Sequence, residues 1–169
     1  MTKGNIRIIK GCLCKAKENL SKVGYVDGYY YAMDGFRIVR CEENPELPTF
    51  TDREIHPNYA YTINSHLDRE STTIKIPYTV KQIKEWYKEY KKKSGGLKTP
   101  FVLGFKGKYW LGINPKFLID AMETTGNSEI KCVNGGSSMV VEGNGFLWII
   151  MGIALQGWEK DKTMTEITE

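Results

Sequence analysis

One segment, residues 114–155, dictates more than any other what this chain can fold into. Asn114-Pro115 supplies a side-chain acceptor for the first helical amides and a proline whose fixed φ suits the first helical position. Phe117, Leu118, Ala121 and Met122 then recur at helical spacing, and Gly126 offers a left-handed stop. After it the period changes. Residues 129–133, 138–142 and 146–155 are short apolar runs, parted by Asn134-Gly135-Gly136 and Gly143-Asn144-Gly145, both hairpin-type turns. Strands joined by such turns pair antiparallel, because a parallel pair needs a crossover of about a dozen residues or more. The segment therefore points to an α+β fold with helices packed on one face of antiparallel sheets.

The rest of the chain repeats that theme. Ile9, Cys12, Leu13, Ala16 and Leu20 place a first amphipathic helix over residues 8–21, stopped by Gly24. Residues 29–33 and 36–41 are aromatic and β-branched, and Asp34-Gly35 between them is a strong turn signal, so the segment is either a tight hairpin or two strands broken by a bend. Residues 42–70 hold Pro45, Pro48 and Pro57 and read as an irregular loop with one short strand over residues 59–63. After a strand at residues 73–76, Thr79 caps a second helix with Val80, Ile83, Tyr87 and Tyr90 on its apolar face. Lys81, Lys84, Lys88 and Lys91 line another face of that helix. Ser94-Gly95-Gly96 stops it, and residues 101–105 and 109–111 form a hairpin around Lys106-Gly107-Lys108. The folded domain is expected over residues 1–155, as one to one and a half helix-plus-strands units, with a polar C-terminal tail at 156–169.

Composition matters mainly for what it excludes. A chain of 169 residues, 41% hydrophobic, can bury about 70% of its unfolded surface and needs no disulfide or metal staple. The longest apolar run, residues 146–155, is broken by Gly152 and falls short of the ~20 residues of a membrane span. The N-terminal residues lack the apolar core of a secretory signal, so a cytoplasmic location is expected. Cys12, Cys14, Cys41 and Cys132 are scattered and read as reduced thiols. Cys12-x-Cys14 lacks zinc spacing, and neither His56 nor His66 completes it, so no metal or cofactor is expected. The net charge of +4 permits contact with a polyanion without requiring it.

Two segments together resemble a known family. Ile113-Asn114-Pro115-Lys116-Phe117-Leu118-Ile119-Asp120-Ala121-Met122, with the later Leu147-Trp148-Ile149-Ile150-Met151-Gly152-Ile153-Ala154-Leu155, is similar to the C-terminal half-domain of the bacterial DNA polymerase III beta sliding clamp. There an N-P-K-Y-L-L-D-A-L helix precedes strands ending in V-V-M-P-x-R-L. Tyr31-Ala32-Met33-Asp34-Gly35-Phe36-Arg37-Ile38-Val39 resembles that family's A-T-D-G-H-R-L stretch beside the partner cleft, and Ile74-Lys75-Ile76-Pro77 resembles its strand-proline-helix junction. The resemblance covers residues 29–155. Phe36 stands for the family's histidine, and Gly152 and Ala154 for its cleft proline and arginine. The chain is far shorter than a three-domain clamp protomer and is not expected to close a ring as a dimer in the family's manner.

The resemblance implies a DNA-clamp-like fold of repeated half-domain units and a non-enzymatic protein; homo-oligomer formation and a place in a mobile element or phage are further expectations beside it. Sequence-independent contact with double-stranded DNA falls to Lys81, Lys84, Lys88 and Lys91. A cleft for peptides of a polymerase or other replication protein falls to Gly35, Phe36, Arg37, Ile38, Ile150, Met151, Gly152, Ile153 and Leu155. The plainer alternatives are a solvated lysine face paired with Glu85 and Glu89, ordinary strand packing, or a peptide-binding module without DNA contact. A metal-dependent nuclease is the enzymatic alternative, with Asp120, Glu129 and Lys131 as the acidic pair and lysine. Against it, Asp120 falls inside the best-capped helix, and neither a phosphate loop nor a nucleophile elbow is present.

Overall fold

The helix announced by Asn114-Pro115 forms where its caps place it. Asn114 Oδ1 accepts the Lys116 amide at 3.0 Å, Pro115 takes the first position, and Gly126 closes the helix at φ 65°. The structure, a computed structural model, describes residues 1–93, 101–105, 109–133, 137–153 and 164–167. In chain order its elements are α1 (Lys3–Lys10), a 3-10 turn (Glu18–Leu20), β1 (Gly24–Val26), β2 (Tyr29–Met33), β3 (Arg37–Cys41) and α2 (Tyr59–Leu67). Then come β4 (Ser71–Lys75), α3 (Val80–Lys93), β5 (Phe101–Phe105), β6 (Tyr109–Ile113) and α4 (Pro115–Thr125). β7 (Glu129–Val133), β8 (Ser138–Gly143), β9 (Phe146–Met151) and β10 (Met164–Ile167) follow.

Seven strands form one sheet in the order β1-β2-β3-β9-β8-β7-β4, every neighbouring pair antiparallel. The β8–β9 turn has Asn144 and Gly145 at φ 48° and 74°, the doubly left-handed geometry that suits Asn-Gly hairpins. A second sheet, β10-β5-β6, meets the first where the Ile153 amide donates to Gly112 O at 2.8 Å. The α+β architecture expected from the sequence is the one that forms.

Period-two alternation in β9 divides the core in two. Trp148 and Ile150 join Val39 under Ile9 of α1, Ile83 of α3 and Leu118, Ala121 and Met122 of α4. Leu147 and Ile149 turn to the other face, where Tyr31, Ile38 and Val140 pack with Tyr59 and Ile63 of α2. Helices therefore cover both faces of the large sheet, not one.

Several boundaries differ from expectation. The first helix spans Lys3–Lys10, not residues 8–21: Thr2 Oγ1 caps it by accepting the Asn5 amide at 3.1 Å, and Gly11 ends it. Cys12 and Leu20 are buried as expected, but through a turn and the 3-10 segment. The residues expected as a strand over 59–63 open α2, because Asn58 Oδ1 accepts the Tyr61 amide at 3.0 Å and Tyr59 and Ile63, four apart, meet the sheet together. α3 begins as expected, in a reciprocal cap: Gln82 Oε1 accepts the Thr79 amide at 2.9 Å and the Gln82 amide reaches Thr79 Oγ1 at 3.3 Å. β9 stops at Met151. Within the stretch expected as a tail, Met164–Ile167 pairs in parallel with β5. The turns at 94–96, 106–108 and 134–136 lie outside the described residues, as do Ala154 and Leu155.

Among the described residues no helix is long and apolar enough to cross a membrane. Cys12, Cys41 and Cys132 are free and buried, and burial pushes each thiol up to about 12.

Candidate partner cleft and cationic helix faces

The turn between β2 and β3 is built by one carboxylate. Asp34 Oδ1 accepts the amides of Phe36 and Arg37 at 2.9 and 3.1 Å, and Gly35 takes φ 93°, a left-handed value that a side chain would oppose. The Phe36 ring is left 66% exposed. Arg37 goes the other way. Its guanidinium donates to Asp34 Oδ2 at 2.9 Å, Asp120 Oδ2 at 2.7 Å and Gly11 O at 2.7 Å, and stacks 4.1 Å from the Phe117 ring centroid. Contrary to the expectation that it faces a guest, Arg37 is a buried clasp among the turn, α4 and the end of α1.

Ile38 and Ile150 also leave the expected cleft wall. Both are core residues, on opposite faces of the sheet, because helices cover both sides and neither parity of the strand reaches water there. Phe36, Met151 and Ile153 remain at the sheet's end, with Met151 and Ile153 39% and 41% exposed. The Met151 amide donates to Phe36 O at 2.8 Å, and the Gly152 amide to Ser137 O at 2.9 Å, so the chain leaving β9 is fastened on both sides. Gly35 lies at the tip of the neighbouring turn, and Leu155 lies outside the described residues.

Next to Met151 lie two residues that no motif in the sequence marks. Ser138 pairs in register with Met151, and its hydroxyl meets His66 Nδ1 of α2 at 2.9 Å. The two are 72 residues apart, and α2 itself is masked by strand-like composition, so nothing local signals the pair. Burial and the Arg69 charge hold His66 below its ordinary value of 6.5. The folded state therefore prefers the neutral ring, and its contribution to stability is full above pH 6.5 and lost as the pH falls from there through the folded pKa. Thermal melts should show a drop in melting temperature on acidification through that window, and His66→Leu should flatten it. An unchanged pH profile in the variant would remove His66 from the explanation.

The lysine face of α3 is exposed but only partly unpaired. Lys81, 86% exposed, stands 4.0 Å from Glu85, and Lys84 pairs with Glu123 of α4. Lys91 Nζ lies 4.7 Å from the Tyr87 ring centroid, and neither Lys88 nor Lys91 has a carboxylate partner among the described residues. α1, packed in the same core as α3, adds exposed Lys3, Arg7 and Lys10 and contains no acidic residue. Apolar periodicity sets this helix five residues too late and so misses these cations.

Asp120 is not a free metal-binding carboxylate. Its Oδ2 accepts both Arg37 and Lys116, each at 2.7 Å, while Lys131 stands 3.7 Å from Glu142 and Glu129 faces solvent. The nuclease arrangement of Asp120, Glu129 and Lys131 is therefore not assembled. Among the described residues no group of three His, Cys, Asp or Glu could hold a metal ion.

This arrangement of sheets and helices has counterparts among solved structures. The DNA polymerase III beta subunit of Thermotoga maritima superposes with a TM-score of 0.58 at 15% identity, covering 90% of this chain and 63% of that one. The beta subunit of Borrelia burgdorferi, solved with a natural product, gives 0.58 at 13%, covering 92% and 62%. The Helicobacter pylori beta clamp bound to a DNA ligase peptide gives 0.56 at 13%, covering 89% and 62%. The chain thus spans less than two thirds of the length of these clamps. No protein-family model matches the sequence, and no curated protein does. By its sheet order, helix placement and superposition, this protein has the fold of the bacterial DNA polymerase III beta sliding clamps.

Proposed function

We propose that this chain is a non-enzymatic, sliding-clamp-type protein that captures short peptides of replication proteins at the Phe36, Met151 and Ile153 surface and rests on duplex DNA through α3 and α1. The observation that carries the reading is the placement of three exposed apolar residues at one end of the sheet, Phe36 joined to Met151 by a backbone hydrogen bond, within a clamp fold. A peptide-binding surface takes most of its binding energy from a few buried anchors of the guest. Met151 suits the role because an unbranched thioether reshapes around different guests. The buried thiols fit a reducing compartment, in keeping with a cytoplasmic protein. A second reading, a peptide-binding module without DNA contact, is favoured by the ion pairs that already engage Lys81 and Lys84.

The test is a fluorescence-anisotropy titration with the DNA ligase peptide of the Helicobacter pylori complex. Saturable binding is expected from the native chain. Phe36→Ala should weaken it by about 2 kcal/mol, roughly thirtyfold. Met151→Asp should abolish it, because burying an unpaired carboxylate under a guest costs several kcal/mol. Both side chains are exposed, so neither change should unfold the protein. Absence of binding at high protein concentration, or equal binding by all three proteins, would reject the reading.

A further inference from the structure

We propose that Asp120, which lies on α4 and does not face the guest surface, is a positioning residue that holds Phe36 in its binding conformation through Arg37. The inference rests on the peptide-binding reading above. Asp34 fixes the backbone on either side of the exposed ring by accepting the Phe36 and Arg37 amides. That carboxylate is in turn held by Arg37 Nε at 2.9 Å. Arg37 cannot follow a moving turn, because the far end of its fork is tied to Asp120 and to Gly11 O, each at 2.7 Å, and its plane lies on Phe117. Of those two distal acceptors Asp120 is the charged one, itself gripped by Lys116.

The Arg37 and Asp120 side chains are only 3% and 9% exposed, so their bond works out of water, where charge-assisted hydrogen bonds are strongest. The relay matters because the tip of the turn is held by hydrogen bonds and not by packing. A Cβ on Gly35 would meet nothing within 4 Å; beside the Asp34 carboxylate, the turn is held by the Asp34 amide donating to Arg37 O at 3.3 Å and the Met151 amide donating to Phe36 O at 2.8 Å, neither of which fixes the Phe36 and Arg37 amides themselves. A turn ordered before the guest arrives spares the guest the cost of ordering it, which appears as affinity. Asp120, Arg37, Asp34 and Phe36 thus form one mechanical chain from α4 to the guest.

The experiment uses the full chain with Asp120→Asn, which keeps shape and removes charge. Its affinity for the ligase peptide should fall about tenfold. In a Phe36→Ala background the same change should have no further effect, since the ring it positions is gone. Equal losses in both backgrounds would assign Asp120 a merely structural role and overturn the inference. Independently of any peptide, the Phe36 and Arg37 amides should exchange faster in Asp120→Asn while the Val39 and Trp148 amides do not. Unchanged exchange at Phe36 would also overturn it. Faster exchange with no peptide binding by the native chain would instead reject the peptide reading and leave the relay standing. Arg37→Lys, which keeps the charge but cannot span three acceptors, serves as the second variant should Asp120→Asn not fold.

Discussion

Trp148→Ala should lower the free energy of unfolding by about 3–5 kcal/mol, a large share of the ~5–15 kcal/mol that holds a typical domain together. Trp148 is fully buried in β9, opposite Val39 of β3 on one side and Val141 of β8 on the other. Its ring fills the core beneath α4, and Nε1 donates to Thr124 Oγ1 at 2.8 Å, so the side chain fastens helix to sheet by packing and by a hydrogen bond. Alanine leaves a cavity that strands paired on both sides cannot close. Trp148→Phe separates the two contributions: it keeps most of the volume, loses the indole N–H and should cost about 1 kcal/mol through the missing bond, with a smaller packing loss. Denaturant unfolding of the three proteins decides the matter. A loss below about 1 kcal/mol for the alanine variant would mean that this core collapses around the gap, contrary to its buttressing by two neighbouring strands.

What is legible in the sequence follows from the range of the interactions involved. Asn114-Pro115, Thr79 with Gln82 and Asp34-Gly35 act within a few residues, and the caps and the turn they specify are present. α2 is not legible because Tyr59-Ala60-Tyr61-Thr62-Ile63 has strand-like composition, and the burial of Tyr59 and Ile63 against a distant sheet face overrides it. Ile38 and Ile150 look like cleft residues because alternation shows that strand residues face opposite ways without showing that both faces are covered. The Asp-Gly-Phe-Arg turn is legible, but the direction of Arg37 is not, since its partners Gly11 and Asp120 lie 26 and 83 residues away. The same holds for His66 and Ser138. The exposed residues Phe36, Met151 and Ile153, proposed here as a peptide surface, are picked out by the resemblance to clamps; the residues that hold their surroundings in place are not.

Charge reversal of the α3 lysines should have the largest effect on DNA. Replacing Lys81, Lys84, Lys88 and Lys91 together with glutamate is expected to abolish retention on duplex DNA at low salt without unfolding α3, whose buried contact is made by Ile83. One of the four needs a control. Lys84 pairs with Glu123, so Lys84→Glu places two carboxylates together where α3 meets α4 and lowers stability as well as binding. The triple variant that spares Lys84 isolates the effect on DNA. Each lysine that no longer neutralises a phosphate reduces the slope of log affinity against log salt by about 0.9, so the triple variant should flatten it by about 3. Neutralising Lys3, Arg7 and Lys10 tests whether α1 takes part. If DNA lies across both helices, that second set lowers the slope by a similar amount, whereas contact through α3 alone leaves it unchanged. A native chain that shows no retention on DNA at low salt, or a triple variant that binds as well as the native one, would reduce these cations to a solvated surface. The peptide-binding module without DNA contact would then be the better account, and the ion pairs at Lys81 and Lys84 would be its physical basis.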